Sequence, residues 1–210
     1  MPTTAELTEK YIMGHPSIKD ALVKGILNYS SLARLLSKEL NIQKKTSKEA
    51  ILMAIIRLKE KLKQDTIHET KILDLIRNSE LEFKNKICTI AAEKTALKKV
   101  IALEQEIRSK NDIIYIIEGT TTTTIIASNK HLGKLKKILK NDIIKTTEDL
   151  VLVTIKTNKD IEHVKGVMAT LCTALYEHDV NIVDTMSSWT DTMFVIEEKD
   201  LQLLMQAFKF

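Results

Sequence analysis

VNIVDTMSSWTDTMFVIEE, residues 180–198, is the stretch whose reading decides the fold. Two runs of alternating apolar and small polar residues, the period of half-buried strands, flank a Ser/Thr/Asp turn signal, so the stretch predicts a β-hairpin. Before it, Val164, Val167, Met168, Leu171 and Leu175 recur at helical spacing; after it, Leu201, Leu204, Met205 and Phe208 do the same. With the strand Leu150-Val151-Leu152-Val153-Thr154-Ile155 in front, the order is β-α-β-β-α.

That order, together with the wording HDVNIVDTMSSWTDTMFVIEEKDL (residues 178–201), resembles the ACT domain, specifically the ACT pair at the regulatory end of aspartokinases. The resemblance covers about the last third of the chain, and SSWTD through FVIEEKDL is its most specific part. It implies a ferredoxin-like sensor of a small molecule, typically an amino acid. It also gives Gly166 a role, since in ACT domains a glycine at the helix start lets the backbone approach the ligand.

Working back, a second pass of the same kind appears. A strand over 87–92 precedes a helix over 95–107, with Leu97, Val100, Ile101 and Ile107 on one stripe. Strands over 112–118 and 120–127 follow, the latter β-branched almost throughout, and Gly119 turns between them. A helix over 130–139 and a strand over 142–146 complete a β-α-β-β-α-β unit, an internal repeat. This copy lacks both the glycine at its helix start and the SxWTD-type turn. The second copy, conversely, reaches Phe210 without a final strand, so its sheet edge is expected to be completed by another segment or another chain. In aspartokinases the two ACT units trade strands, which implies a borrowed one.

The first 66 residues read as helices. A short one runs from Thr4 to Met13 and stops at Gly14-His15-Pro16; Ser17 is expected to cap a second, with Asp20 in the capping-box position. A third covers 31–40, and a fourth begins after Ser47 and runs to Lys63 on the stripe Ile51, Ala54, Ile55, Leu58 and Leu62. Helices three and four, with the basic loop Gln43-Lys44-Lys45-Thr46 between them, look like the helix-turn-helix half of a winged-helix DNA-binding domain. Lys44, Lys45, Arg57 and Lys61 are then the candidate phosphate contacts. The extra apolar residues Leu52, Met53 and Ile56 widen the apolar face of the fourth helix and favour instead a packing or dimerisation domain. Between Asp65 and Lys86 two readings stay open: Ile72, Leu75 and Ile76 suit a helix, whereas 68–75 also suits a strand. Residues 81–86 alternate as a strand that runs into Ile87, and in the winged-helix reading part of this stretch is the wing.

The expected fold class is therefore α+β: a helical, winged-helix-like domain (1–66), a connector strand with a first, divergent ACT-like unit (67–147), and a second ACT unit without its last strand (148–210). Charge is unevenly spread over these parts. Residues 1–66 and 67–147 each carry a surplus of five positive charges and residues 148–210 a deficit of six, within a net charge of +4. A basic front and an acidic back suit a protein that meets a polyanion with one end only. With 44% hydrophobic residues and no run near the ~18 apolar residues of a membrane span, the chain reads as soluble, with no membrane partner. The absence of a secretion signal at Met1-Pro2-Thr3 places it in the cytoplasm.

No enzyme signature is present: no P-loop, GxGxxG, HExxH or GxSxG, and no pair among His15, His68, His131, His163 and His178 at metal-ligand spacing. Cys88 and Cys172 stand alone and read as buried apolar residues. No catalysis, metal or cofactor is expected. What remains is a binding site. The loop before the helix of the second unit holds Asn158, Asp160, Ile161, Gly166 and Val167, and the start of the hairpin, Val180-Asn181-Ile182, is expected as its floor. Helix N–H groups would take the carboxylate of a free amino acid, and Asn158 or Asp160 its ammonium. Two functions follow: an amino-acid-responsive transcription regulator that binds duplex DNA, or a stand-alone ACT regulatory subunit that controls an amino-acid biosynthetic enzyme by protein contact. Either is expected as a homodimer or higher oligomer, because the unit exposes a sheet edge.

Overall fold

A computed structural model describes residues 2–42, 46–63 and 66–208, with the side chains at 63 and 66–69 left aside. The chain divides into two compact units, Met1–Lys71 and Ile72–Phe210.

In the first unit the described residues form helices α1 (Thr4–Met13), α2 (Pro16–Val23), α3 (Tyr29–Glu39) and α4 (Lys48–Lys63), followed by the start of α5 (Thr66–Arg77). The capping box forms at Thr3 and Glu6 instead of Ser17 and Asp20. Pro16 opens α2 one residue before Ser17, so Ser17 is inside the helix and Asp20 pairs with Lys24. Asn28, read as a break, is the N-cap of α3, its Oδ1 accepting from Ser31 N–H. Ile51, Ile55, Leu58 and Leu62 of α4 are buried with Ile12, Leu22, Leu32 and Leu36, so the fourth helix is the spine of this core. The winged-helix expectation finds no support here: the stretch assigned to the wing is α5 followed by a strand of the second unit's sheet.

That sheet has six antiparallel strands in the order β2-β3-β1-β4-β6-β5. They are β1 (Glu80–Glu93), β2 (Ile114–Glu118), β3 (Thr122–Ser128), β4 (Ile143–Lys156), β5 (Ile182–Ser188) and β6 (Asp191–Glu197). Helices α6 (Leu97–Ser109), α7 (Leu132–Leu139), α8 (Val167–Glu177) and α9 (Leu201–Ala207) follow β1, β3, β4 and β6 respectively. The short strands expected at 142–146 and 150–155 are one continuous strand, β4.

The two long central strands each serve two βαββαβ units. The second half of β1 pairs with β3, while its first half pairs with the second half of β4, from Glu80↔Lys156 to Lys84↔Leu152. Residues 80–84 are thus the fourth strand beside β4, β6 and β5, and 143–147 play the same part for β1, β3 and β2. The missing strand is borrowed within the chain. Lys86 and Asp149, each the seventh residue of its 14-residue strand, adopt φ of 57° and 56°, and the ladder shifts register beside them. These paired bulges bend the sheet where the halves exchange.

Burial follows the same division. Cys88, Ile90, Val100, Ile107, Ile125 and Leu135 form the core under α6 and α7. Val151, Val153, Ile155, Leu171, Leu175, Phe194 and Leu204 form the core under α8 and α9, joined by Ile72, Leu75 and Ile76 of α5. The opposite face carries its own cluster, Ile87, Ile126, Leu150, Leu152, Met193 and Val195.

Candidate functional site

The strand β4 ends at Lys156, and ten residues pass before α8 begins at Val167. The corresponding connection in the other half is short, Lys94–Ala96. The long loop is closed by its own polar groups. Asn158 Oδ1 accepts from the Asp160 backbone N–H at 2.8 Å, and the carbonyls of Asn158 and Asp160 accept from Ile161 and His163 N–H. Ile161 and Val164 tuck into the core under α8, while Asn158, Asp160 and Glu162 stay exposed. Gly166 is the N-cap of α8 with φ 90°, a left-handed conformation that glycine adopts without penalty. A Cβ there would lie 3.4 Å from Ile72 Cδ1 of α5, so the space beside Gly166 is an apolar contact. With no capping side chain on it, the first turn of α8 presents backbone N–H groups and the positive end of the helix dipole.

The loop is tied to the hairpin turn. Ser188 pairs with Asp191, leaving Trp189 and Thr190 as a two-residue turn with Trp189 at φ 49°. Thr157 donates from N (2.9 Å) and from Oγ1 (3.0 Å) to the Thr190 carbonyl, and Trp189 Nε1–H donates to Glu162 Oε1 at 2.6 Å. Thr192 pairs with Ile155, a residue of the core under α8. Directly paired residues share a face, so its hydroxyl lies on that side, 3% exposed.

Of the residues singled out from sequence, Asn158, Asp160, Ile161, Gly166 and Val167 are gathered at this end of α8, with Val167 buried. Val180, Asn181 and Ile182 are at the other end. Val180 N–H bonds to Leu175 O at the helix C-terminus, and Ile182 pairs with Ile196, far from the Ser188–Asp191 turn. Six residue steps along β5, roughly 20 Å, separate the groups. The expected floor is therefore not beneath the loop within one chain. An alternating strand shows which residues share a face and not which end meets a given loop. Sequence reading missed Glu162, Trp189, Thr157 and Ile72 as a group, although the SSWTD turn and the loop were both legible as unusual.

The DNA-contact candidates fare differently. Lys44 and Lys45 lie outside the described residues. Arg57 is exposed on α4, but Lys61 pairs with Glu9 at 2.7 Å, and the other exposed charged residues of that face include Glu49 and Glu60. The acidic residues offset part of the attraction that the basic ones hold for phosphate. The geometry offers the DNA reading no support. Among the described residues no group of His, Cys, Asp or Glu could hold a metal ion, and no helix is long and apolar enough to cross a membrane.

In the first half of the sheet a polar cluster gathers around Asp112. Burial alone would raise the Asp112 carboxyl, but Lys130, His131 and the Ile113 N–H outweigh it and hold it down at about 2. The cluster ties the start of β2 to the start of α7.

No family model and no curated protein matches the chain. Solved structures do. The aspartokinase alpha and beta subunits align at 15% identity and a TM-score of 0.51, over 67% of this chain and 99% of that one. The regulatory subunit of aspartate kinase from Thermus thermophilus aligns at 13% identity and 0.49, over 62% and 94%. Clostridium acetobutylicum aspartate kinase aligns at 18% identity and 0.46 over 61% of this chain, which spans 33% of that enzyme. The first of these shows a shared fold, and the α+β, ferredoxin-like expectation holds.

Proposed function

We propose that the protein is an amino-acid-sensing ACT regulatory module that acts on an amino-acid biosynthetic enzyme by protein contact, without catalysis of its own. The observation that carries this reading is the strand exchange between β1 and β4. It makes two βαββαβ units of one sheet, the arrangement that the ACT resemblance implied, in a fold shared with the aspartokinase subunits. The uncapped first turn of α8 takes the ligand carboxylate on the N–H groups of Val167 and Met168. Asn158, Asp160 and Ile161 shape the loop above it, and Thr192 offers a hydroxyl below.

Val180, Asn181 and Ile182 join the site in a dimer. β5 is an outer strand of the sheet with an unpaired edge. Two copies pairing antiparallel through β5 about Thr185 set Ile182 of one beside Ser188 of the other. Each loop end then meets the other copy's 180–182 segment, in an isologous interface. Calorimetry with each of the twenty amino acids, alongside light scattering, tests the reading: one or a few should bind, to a dimer. Binding of none removes the sensing function, and binding to a monomer removes the shared site.

A further inference from the structure

We propose that the Glu162–Trp189 hydrogen bond is a latch, holding the 157–166 loop down on the hairpin turn and opened when an amino acid's ammonium takes over Glu162. Three observations carry it. The contact is short, 2.6 Å, and joins residues 27 apart in sequence. It is doubled by the two hydrogen bonds from Thr157 to the Thr190 carbonyl, so the loop is pinned at its start and near its middle. Trp189 stands at φ 49° in a two-residue hairpin turn, where glycine or asparagine is usual, and the indole is 69% exposed. Neither burial nor turn geometry accounts for a tryptophan there, whereas its N–H contact does.

Glu162 is also the acceptor that the ligand needs. Asn158 Oδ1 is engaged by Asp160 N–H, whereas Glu162, among the described residues, accepts from a neutral indole, and an ammonium makes the stronger, charge-assisted bond. The ligand's part in opening rests on the amino-acid-sensing reading; the latch does not. As the chain has one tryptophan, its emission reports the latch state.

Hydrogen exchange on the unliganded full chain tests the latch. Trp189→Phe keeps the ring and loses the N–H. The amides of Thr157, Ile161 and His163 should exchange on the order of three- to tenfold faster, while Val180 at the far end of α8 stays protected, which shows that the fold is intact. Glu162→Gln, which keeps an acceptor but not its charge, should give a smaller increase and a shifted emission. Unchanged exchange at those three amides in Trp189→Phe overturns the latch. A titration of the unaltered protein with an equimolar mixture of the eighteen amino acids other than tryptophan and tyrosine, whose own emission would mask that of Trp189, then addresses its opening. An emission change that is absent in Glu162→Gln supports displacement by the ammonium. Faster exchange in Trp189→Phe with no emission change leaves the latch standing and removes the ligand as what opens it.

Discussion

If residues 80–84 are the fourth strand of the second unit, damage to them must be felt in that unit's core. Phe83 is the residue to change. It pairs with Val153 of β4 and packs, partly buried, against the core under α8 and α9, which includes Val153, Leu171 and Phe194. Full burial would make Phe→Ala cost ~3–5 kcal/mol; partial burial brings Phe83→Ala to about 2 kcal/mol. Urea unfolding followed by tryptophan emission is well matched to the question, because the one tryptophan, Trp189, is in the second unit. At a slope of ~1–3 kcal/mol per molar, the midpoint should fall by about 1 M. Leu81→Ala, at a side chain 36% exposed, should lower it by less than half as much. A midpoint unchanged in Phe83→Ala, or equal losses in the two variants, would refute the borrowed strand.

Gly166→Val forces a β-branched residue to φ 90° beside Ile72, costing ~1–2 kcal/mol or more and abolishing amino-acid binding; calorimetry on a variant shown by near-UV dichroism to be folded checks it. Lys156 first and Lys84 second hold the Glu82 carboxyl down at about 2, and Asp112 is held there too. Both carboxylates are depressed in the folded state, so their stabilisation is present above the unfolded values of 4.5 and 3.8 and is lost as pH falls from there towards 2. Glu82→Gln should accordingly flatten the acid limb of a stability-against-pH curve. Thr185→Pro on the outer strand β5 should turn a dimer into a monomer in light scattering without unfolding it, since the Thr185 N–H donates to the neighbouring Asp184 Oδ1 and its loss, with that of the Oγ1–Met193 carbonyl bond, removes two exposed or half-buried contacts. Arg57→Ala should leave retention on a duplex-DNA column unchanged at low salt.

Much of this architecture was legible in the sequence, and the failures have physical reasons. The hairpin was plain because alternation over Ile182–Ser188 and Asp191–Glu197 reports half-buried strands directly. The borrowed strand could be expected but not located, because pairing between residues 80–84 and 152–156 leaves no local pattern. β4 read as two strands because Glu148-Asp149 has turn composition. Asp149 does take a turn-like left-handed conformation, yet as a bulge within a continuous strand. The first unit's helices were found with shifted ends: Pro16 and Asn28 act as start signals, which outweighs the apparent cap at Ser17. Their stripes could not tell a DNA reader from a packed bundle, because both require Ile51, Ile55 and Leu58 inside. At the site, the residues nearest in sequence, 158–167, came together, while 180–182 did not.

The amino-acid-sensing proposal stands or falls with the loop before α8. Isothermal titration calorimetry of the unaltered protein against each of the twenty amino acids tests it most directly. One or a few of them should give saturable heat, lost in Gly166→Val; no heat from any of the twenty, with the protein folded and dimeric, would remove amino-acid sensing.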